Sequence, residues 1–599
     1  MNTSNEDAED ILARVIPGRL IEPDPLSWPS LKCISTWFSR CEYDHMRCSG
    51  VFPMPTRILD IGDAESEQVY LRESGGQLGT YVALSHCWGR QQNFKATATT
   101  MPLLMAGIST VDLPKTFRDA IKITKLLGIR YLWIDSLCIR QGDVQDWDLE
   151  SSRMGSVFRN AYLTIAASRA TDDNAGFLGL RTLPDTLLVP YRELGQPMSS
   201  IYLAIDEYIS RQTSKDLLEK EPLTQRAWAL QERYLSRRTL FFGEKQMLWQ
   251  CEETVDTEDG EGHIDRGYRI ENILETALPP SVNSQCSSSP SALHSEPSET
   301  DVRTARSSLK WTLHHHNYTD WYAMVAKYSK CDITRGSDRL PALSGVAAVL
   351  AEAYDDSYCA GLWPRGMVEG LAWSKSLDHL VGDPSPSTVL LTKPAEYRAP
   401  SWSWASVDGV VDFWFFQRGN SHDIRRCEKL AHLRDYHVVP RGENPYGEVQ
   451  AGWLRIEAPV QPIERLHGVV DRMFHRFGPY YQLLIVAIDE AKYLITASFD
   501  RPIEACQMTL RVLFLTQAPI KAAEGEKESY HACGLIIQPT ATSPDEYERV
   551  GMVGGPLVPV AQGVEPDEAY KAGSTQARKG QAINSFDLKE LPREPVILV

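Results

Sequence analysis

The sequence predicts an α/β fold, a parallel sheet flanked by helices, followed by a helical segment and a β-rich C-terminal region. Three observations carry this. The apolar runs "TYVALSHCWG" (80–89), "IRYLWID" (129–135) and "YLTIAAS" (162–168) have the composition of strands buried on both faces. Two amphipathic helical patterns lie between them. Their connections are short, and strand and helix alternating in this way give a parallel sheet with right-handed crossovers.

Taken in order, residues 1–75 form an N-terminal flanking segment. It holds a helix-like stretch, "WPSLKCISTWFSRCEYDHMRC", then "PTRILDIGD", a short strand with a turn. The α/β unit spans 76–255. After its first strand, "LPKTFRDAIKITKLLG" places Phe117, Ala120, Ile121, Thr124 and Leu127 at helical spacing, with Pro114 near the first turn and Gly128 as the stop. After the second strand, "DWDLESSRMGSVFRNA" aligns Trp147, Met154, Val157, Phe158 and Ala161 along one face. "SIYLAID", a helix opening near Thr224, "RTLFFG" and "QMLWQC" complete the unit.

Residues 256–310 are expected to form a partly disordered insert, because the serine-rich Ser281–Thr300 has almost nothing to bury. Residues 311–440 read as a helical and Trp-rich extension containing "RAPSWSWASVDG". Residues 441–599 read as β-rich, with "WLRIEAPV", "YYQLLIVAID" and "MTLRVLFLT" as strands.

Composition narrows the function classes. A net charge of −17 repels phosphate backbones, and no basic patch exceeds Arg237-Arg238, so nucleic acid is not an expected partner. The acidic start lacks the basic and apolar regions of a secretory signal, and no apolar run is long enough to span a bilayer. Twelve scattered cysteines, several within apolar runs, fit a reducing, cytoplasmic location.

Parallel sheets bind ligands beyond the carboxyl ends of their strands, which directs attention to Ser85–Gly89 and Asp135–Gln141. Ser85 and His86 are adjacent on a strand and point to opposite faces, so they make a poor nucleophile–base pair. Asp135 at a strand end is read either as functional or as a cap or ion-pair partner. Cys138 reads as a buried hydrophobe, since no neighbouring cation in sequence would lower its pKa. Cys33, Cys41, His45 and Cys48 have zinc-ligand chemistry, but their spacing matches no common short knuckle and residues on an amphipathic helix serve packing, so no metal is assigned. His314–His316 read as a solvated run beside the insert.

In "RAWALQERYLSRR", Glu232 falls one helical turn after Trp228. A half-buried carboxylate against an indole would have its pKa raised by desolvation. The competing reading, favoured by spacing alone, is a surface ion pair with Arg237 or Arg238.

The blocks "YVALSHCWG", "YLWIDSLCIRQGD", "MGSVFRNAYLTIAAS" and "RAWALQERYLSRRTLFF", in that order over Tyr81–Phe242, resemble the fungal heterokaryon incompatibility (HET) domain. "PTRILDIGD" and "RAPSWSWASVDG" resemble segments that flank it in this family. The resemblance implies a cytosolic protein of filamentous fungi, in a family tied to self versus non-self recognition after hyphal fusion, growth arrest and programmed cell death. Some members lie near secondary-metabolite genes, so an accessory role in such a pathway stays open.

The HET domain is in turn considered a distant relative of TIR domains, which implies a TIR-like, flavodoxin-like topology. Leu84-Ser85 with Gly89 resembles the first TIR strand and its loop. Trp228 and Glu232 have the tryptophan-to-glutamate spacing of enzymatic TIR domains. That resemblance implies Glu232 as catalytic residue, with Ser85, His86, Trp88, Gly89, Asp135 and Trp228 binding substrate. NAD would be the substrate, hydrolysed at its nicotinamide–ribose bond, and no cofactor is implied. The alternative is a non-enzymatic module acting through a protein partner or self-association.

Overall fold

The computed structural model describes residues 18–45, 50–90, 94–183, 185–191, 199–204, 218–260, 318–376, 391–413, 427–467, 481–488, 491–500, 509–520, 529–560 and 586–599, with residues 2–3, 48, 564 and 569. Ser281–Thr300 and His314–His316 lie outside the described residues. The chain divides into two compact units. The first comprises Met1–Asn272 with Cys331–Ile333 and Ala342–Val346; the second comprises Ile273–Lys330, Thr334–Pro341 and Ala347–Val599.

The first unit is built on a nine-stranded sheet. In chain order its strands are β1 (Arg57–Asp60), β2 (Gln68–Glu73), β3 (Tyr81–Ser85), β4 (Ile108–Ser109), β5 (Tyr131–Ile134), β6 (Leu163–Ala166), β7 (Arg238–Phe242), β8 (Met247–Cys251) and β9 (Val255–Thr257). They lie side by side in the order β9-β8-β7-β6-β3-β5-β1-β2-β4. The neighbours β5, β3, β6 and β7 are parallel to one another. The flanking pairings, β1 with β5 and β2, β2 with β4, and β8 with β7 and β9, are antiparallel. The expected parallel sheet is therefore the centre of a larger mixed one.

"SIYLAID" belongs to this unit, as expected, but its strand lies outside the nine-stranded sheet. Ser199–Ala204 pairs antiparallel with Thr186–Tyr191 and with Asn2–Thr3 in a separate three-stranded sheet.

Among the described residues, the helices that accompany the sheet include α1 (Trp28–Asp44), α2 (Met101–Ala106), α3 (Lys115–Leu126), α4 (Asp135–Cys138), α5 (Val144–Asn160) and α6 (Ala227–Leu235). Asp143 caps α5, its carboxylate accepting from the Gln145 and Asp146 amides. Alternation along β3 assigns the helices to faces. The Tyr81 hydroxyl donates to Val157 O of α5 at 2.6 Å, and Ser85, of the same parity, reaches α6. His86, of opposite parity, meets Phe117 of α3 edge-on at 5.2 Å. Phe117, Ala120 and Ile121 on one side and Met154, Val157 and Phe158 on the other fill one continuous core with Val82, Leu84, Trp133 and Ile165.

β3 is where the parallel order reverses: its first crossover leads to β5 on one side, and the chain then returns to β6 on the other. Helices consequently leave the sheet on opposite faces next to β3, the arrangement that in open α/β sheets places ligands beyond the carboxyl end of the strand.

The second unit is rich in strands, as the sequence led one to expect. β10 (Val449–His467), β11 (Tyr481–Ile488), β12 (Ala491–Phe499), β13 (Arg511–Ile520), β14 (Ser529–Pro539) and β15 (Glu546–Pro556) pair antiparallel in the ring β10-β11-β12-β15-β14-β13-β10, a closed six-stranded barrel. β16 (Arg593–Leu598) runs antiparallel to β10 and parallel to β15. Closure removes the exposed edges that antiparallel sheets otherwise present.

The Trp-rich turn lies in this unit. Trp321, Trp363, Trp373, Trp402 and Trp404 are fully buried. The Trp373 indole donates to Trp402 O at 2.9 Å, and those of Trp321 and Trp404 both donate to Gly361 O. "SWSW" is thus a packing motif: the Trp404 indole N–H is satisfied by backbone, while that of Trp402 is buried without a hydrogen-bond partner.

Candidate functional site

Glu232 sits in the middle of α6, just 4% exposed, which excludes the surface ion pair that its spacing suggested. The two arginines go elsewhere: Arg238 donates to Cys41 Sγ and Tyr162 O, and Arg237 approaches Glu252. The helix opens at Ala227 and not near Thr224, because Pro222–Gln225 forms a separate 3₁₀ turn. As α6 packs, Gln231, Glu232, Tyr234 and Leu235 are buried.

The partner of Glu232 is Ser85, whose hydroxyl donates to Glu232 Oε2 across 147 residues of chain. Burial pushes the Glu232 carboxyl from its ordinary 4.5 up to about 7. The negative charge of Asp135 adds to the rise, while Arg226, the Ser85 hydroxyl and His86 oppose it. Ser236 Oγ locks the same turn by donating to Glu232 O at 2.7 Å, and shares a second hydrogen bond with Thr164 Oγ1 on β6.

His86 takes the opposite face and is also buried. Its Nε2 lies 3.2 Å from Asp173 Oδ1 and its Nδ1 lies 3.7 Å from Asp135 Oδ1. The orientation completes no hydrogen bond: the carboxylates lie at ion-pair distance, but both ring nitrogens of His86 and both carboxylate oxygens of Asp173 are buried without a hydrogen-bond partner. Buried polar atoms are rarely left so unless a ligand or solvent is to meet them.

At the rim, the Trp88 indole donates to Asp135 Oδ2 at 2.7 Å, while Asp135 Oδ1 accepts the Ser136 amide at 2.7 Å. Asp135 therefore both opens α4 and holds an aromatic ring, so the two readings of it are compatible. Arg226 lies 6.0 Å over the Trp88 ring and donates to His86 O. Gly89 adopts φ +74°, and a Cβ there would lie 2.4 Å from that of Asp172, so only glycine fits this approach.

Six of the seven residues singled out by sequence, Ser85, His86, Trp88, Gly89, Asp135 and Glu232, thus lie around the carboxyl end of β3. Trp228 has a packing contact, edge-on to Trp147 of α5 at 5.9 Å. Cys87 and Cys138 are buried thiols pushed by burial up to about 11 and about 12. Sequence reasoning missed Arg226 and Asp173. Arg226 opens the block "RAWALQERYLSRR", and Asp173 stands in the loop after the third parallel strand, where the strand-end rule applied equally.

Two cavities lie elsewhere. One of about 500 Å³ is lined by Met54, Tyr81, Glu150 and Arg153, and one of about 690 Å³ by Asp60, Tyr70, Lys125 and Arg130; neither includes Glu232.

A buried acid and an unmatched imidazole–carboxylate pair at the reversal point of an α/β sheet occupy the position where such folds place ligand sites. Residues 81–232 match the family described as Heterokaryon incompatibility protein (HET), and over those residues the chain carries a HET domain. The match opens on the first residue of β3 and closes on Glu232. No curated protein and no solved structure matches the chain. No helix among the described residues is long and apolar enough to cross a membrane.

Proposed function

We propose that this chain acts in fungal non-self recognition and programmed cell death, and that its HET domain does so by hydrolysing NAD with Glu232 as the catalytic carboxylate. The observation that carries this reading is the Ser85–Glu232 hydrogen bond, which brings the carboxylate to the carboxyl end of the central strand. Cleavage of the nicotinamide–ribose bond leaves positive charge on the ribose, and a carboxylate held in a desolvated site stabilises an oxocarbenium-like transition state. Water completes the reaction at the anomeric carbon while nicotinamide departs with the bonding pair. Trp88 offers the aromatic face for nicotinamide, and Arg226 beside it offers a cation for the phosphates. The TIR-like ancestry of the fold is part of this proposal; the four parallel strands, in chain order second, first, third, fourth, support it.

The test is nicotinamide release from NAD by the purified full-length chain. Glu232→Gln should lower turnover by at least about 10²-fold, as the loss of a principal charge stabiliser does. Equal turnover in the variant would remove Glu232 from the mechanism.

The burial of Glu232 and its hydrogen bond to Ser85 also fit a second reading, in which the domain is an interaction or oligomerisation module and the buried pair locks α6 onto β3. Absence of nicotinamide release from clustered wild-type protein, with Glu232→Gln altering self-association, would select it.

A further inference from the structure

The end of α1 and the end of β8 bring together four side chains far apart in sequence. Cys41 lies in the last turn of α1, His45 directly follows that helix, Cys48 is three residues on, and Cys251 ends β8. All four are buried, and one donor atom of each lies within 4.8 Å of the others. Cys251 Sγ and His45 Nδ1 are 3.3 Å apart. Tetrahedral zinc, with Zn–S of about 2.3 Å and Zn–N of about 2.0 Å, requires donor separations of roughly 3.4–3.8 Å. The cluster is therefore nearly closed to that size.

From this geometry we infer a structural zinc site made by Cys41, His45, Cys48 and Cys251. Three sulfurs and one imidazole are a donor set that selects zinc, and four protein ligands leave no open position for catalysis. Cysteines acting as plain hydrophobes have no reason to turn their sulfurs and an imidazole toward one point. A disulfide would use two sulfurs and strand the third with the histidine.

The surroundings suit thiolates. Arg238 Nε donates to Cys41 Sγ at 3.2 Å, and the Thr254 amide donates to Cys251 Sγ at 3.4 Å. Such outer donors orient and stabilise metal-bound sulfur, and the buried guanidinium balances the single negative charge of zinc with three thiolates. Cys33, on the same helix, is not in the cluster. The fourth ligand comes instead from a strand beyond the HET match, so the metal would fasten the helix preceding the domain to the hairpin following it.

The full-length chain, purified without a histidine tag and dialysed, should retain about one zinc per chain by elemental mass spectrometry. Cobalt substitution should give thiolate-to-metal charge transfer and the visible bands of a tetrahedral ion. Cys48→Ser and Cys251→Ser should lose the zinc, whereas Cys33→Ser should keep it. Should a ligand variant fail to fold, the wild-type metal content and cobalt spectrum still decide. A reduced wild-type protein without zinc and without cobalt charge transfer would overturn the proposal. A disulfide among Cys41, Cys48 and Cys251, mapped by alkylation under non-reducing conditions, would do the same.

Discussion

In the second unit Arg549 and Asp500 are buried together, and neither keeps a buried side-chain polar atom without a hydrogen bond. The guanidinium meets Asp500 at 2.9 Å, donates to Leu371 O and Trp373 O, and lies 3.3 Å over the Trp373 ring. In the first unit Glu232, His86 and Asp173 are buried just as deeply, but His86 and Asp173 keep unmatched atoms and Glu232 keeps a carboxyl pushed up to about 7. A satisfied buried pair needs nothing more than the fold. An unsatisfied group costs stability, and that cost is tolerated where a ligand or a reaction uses it.

The largest test of this contrast is Arg549→Met. It leaves Asp500 as a buried uncompensated charge and two carbonyls without donors, and should cost about 3–5 kcal/mol, read as a lowered urea midpoint for the second unit. A loss under about 1 kcal/mol would mean that Asp500 is reached by water and that the pair is not closed.

Glu232→Gln should show the opposite character. Between 4.5, where an unfolded glutamate releases its proton, and about 7, where the folded one does, the folded state holds more protons. Rising pH through that window therefore favours unfolding, with no penalty below it and the full penalty above it. The shift corresponds to about 3 kcal/mol. Relative to wild type, the glutamine variant should gain about that much stability as the pH crosses the window, measured by urea denaturation on either side of it. A constant difference would show that Glu232 is solvated.

Ser85→Ala removes the hydroxyl that favours the ionised carboxylate and should cost about 1–3 kcal/mol above the window, with the pH midpoint moving upward. If the midpoint stays in place, the hydroxyl does not hold the charge. Lys393→Ala sets the lower reference: this pair with Glu548 spans 3.4 Å with the lysine 60% exposed, and its loss should change stability by less than about 1 kcal/mol in urea denaturation.

How much of this was legible depended on whether the information was local. The helical spacing of Phe117, Ala120 and Ile121, and of Met154, Val157 and Phe158, named the buried faces of α3 and α5, because a 3.6-residue period is a property of one segment. The strand-end rule located Ser85 and Asp135, since it needs the order of elements and no contacts. It could not choose between an exposed and a buried Glu232, because spacing favours an ion pair that only the orientation of α6 excludes. Asp173 and Arg226 escaped for a related reason: the one becomes a partner of His86 when β6 is laid beside β3, the other when α6 is packed against them.

The sequence by itself determined the strands, the amphipathic helices and the β-rich C-terminal region, since these follow from the pattern of apolar side chains along short segments. Only the tertiary structure decided that antiparallel strands flank the parallel centre, and that the barrel strands close into a ring. It also decided that Ser85 meets Glu232 and that Cys251 joins Cys41, His45 and Cys48. Each of these is a meeting between residues remote along the chain, and such a meeting is fixed by packing and strand order, to which local periodicity is blind.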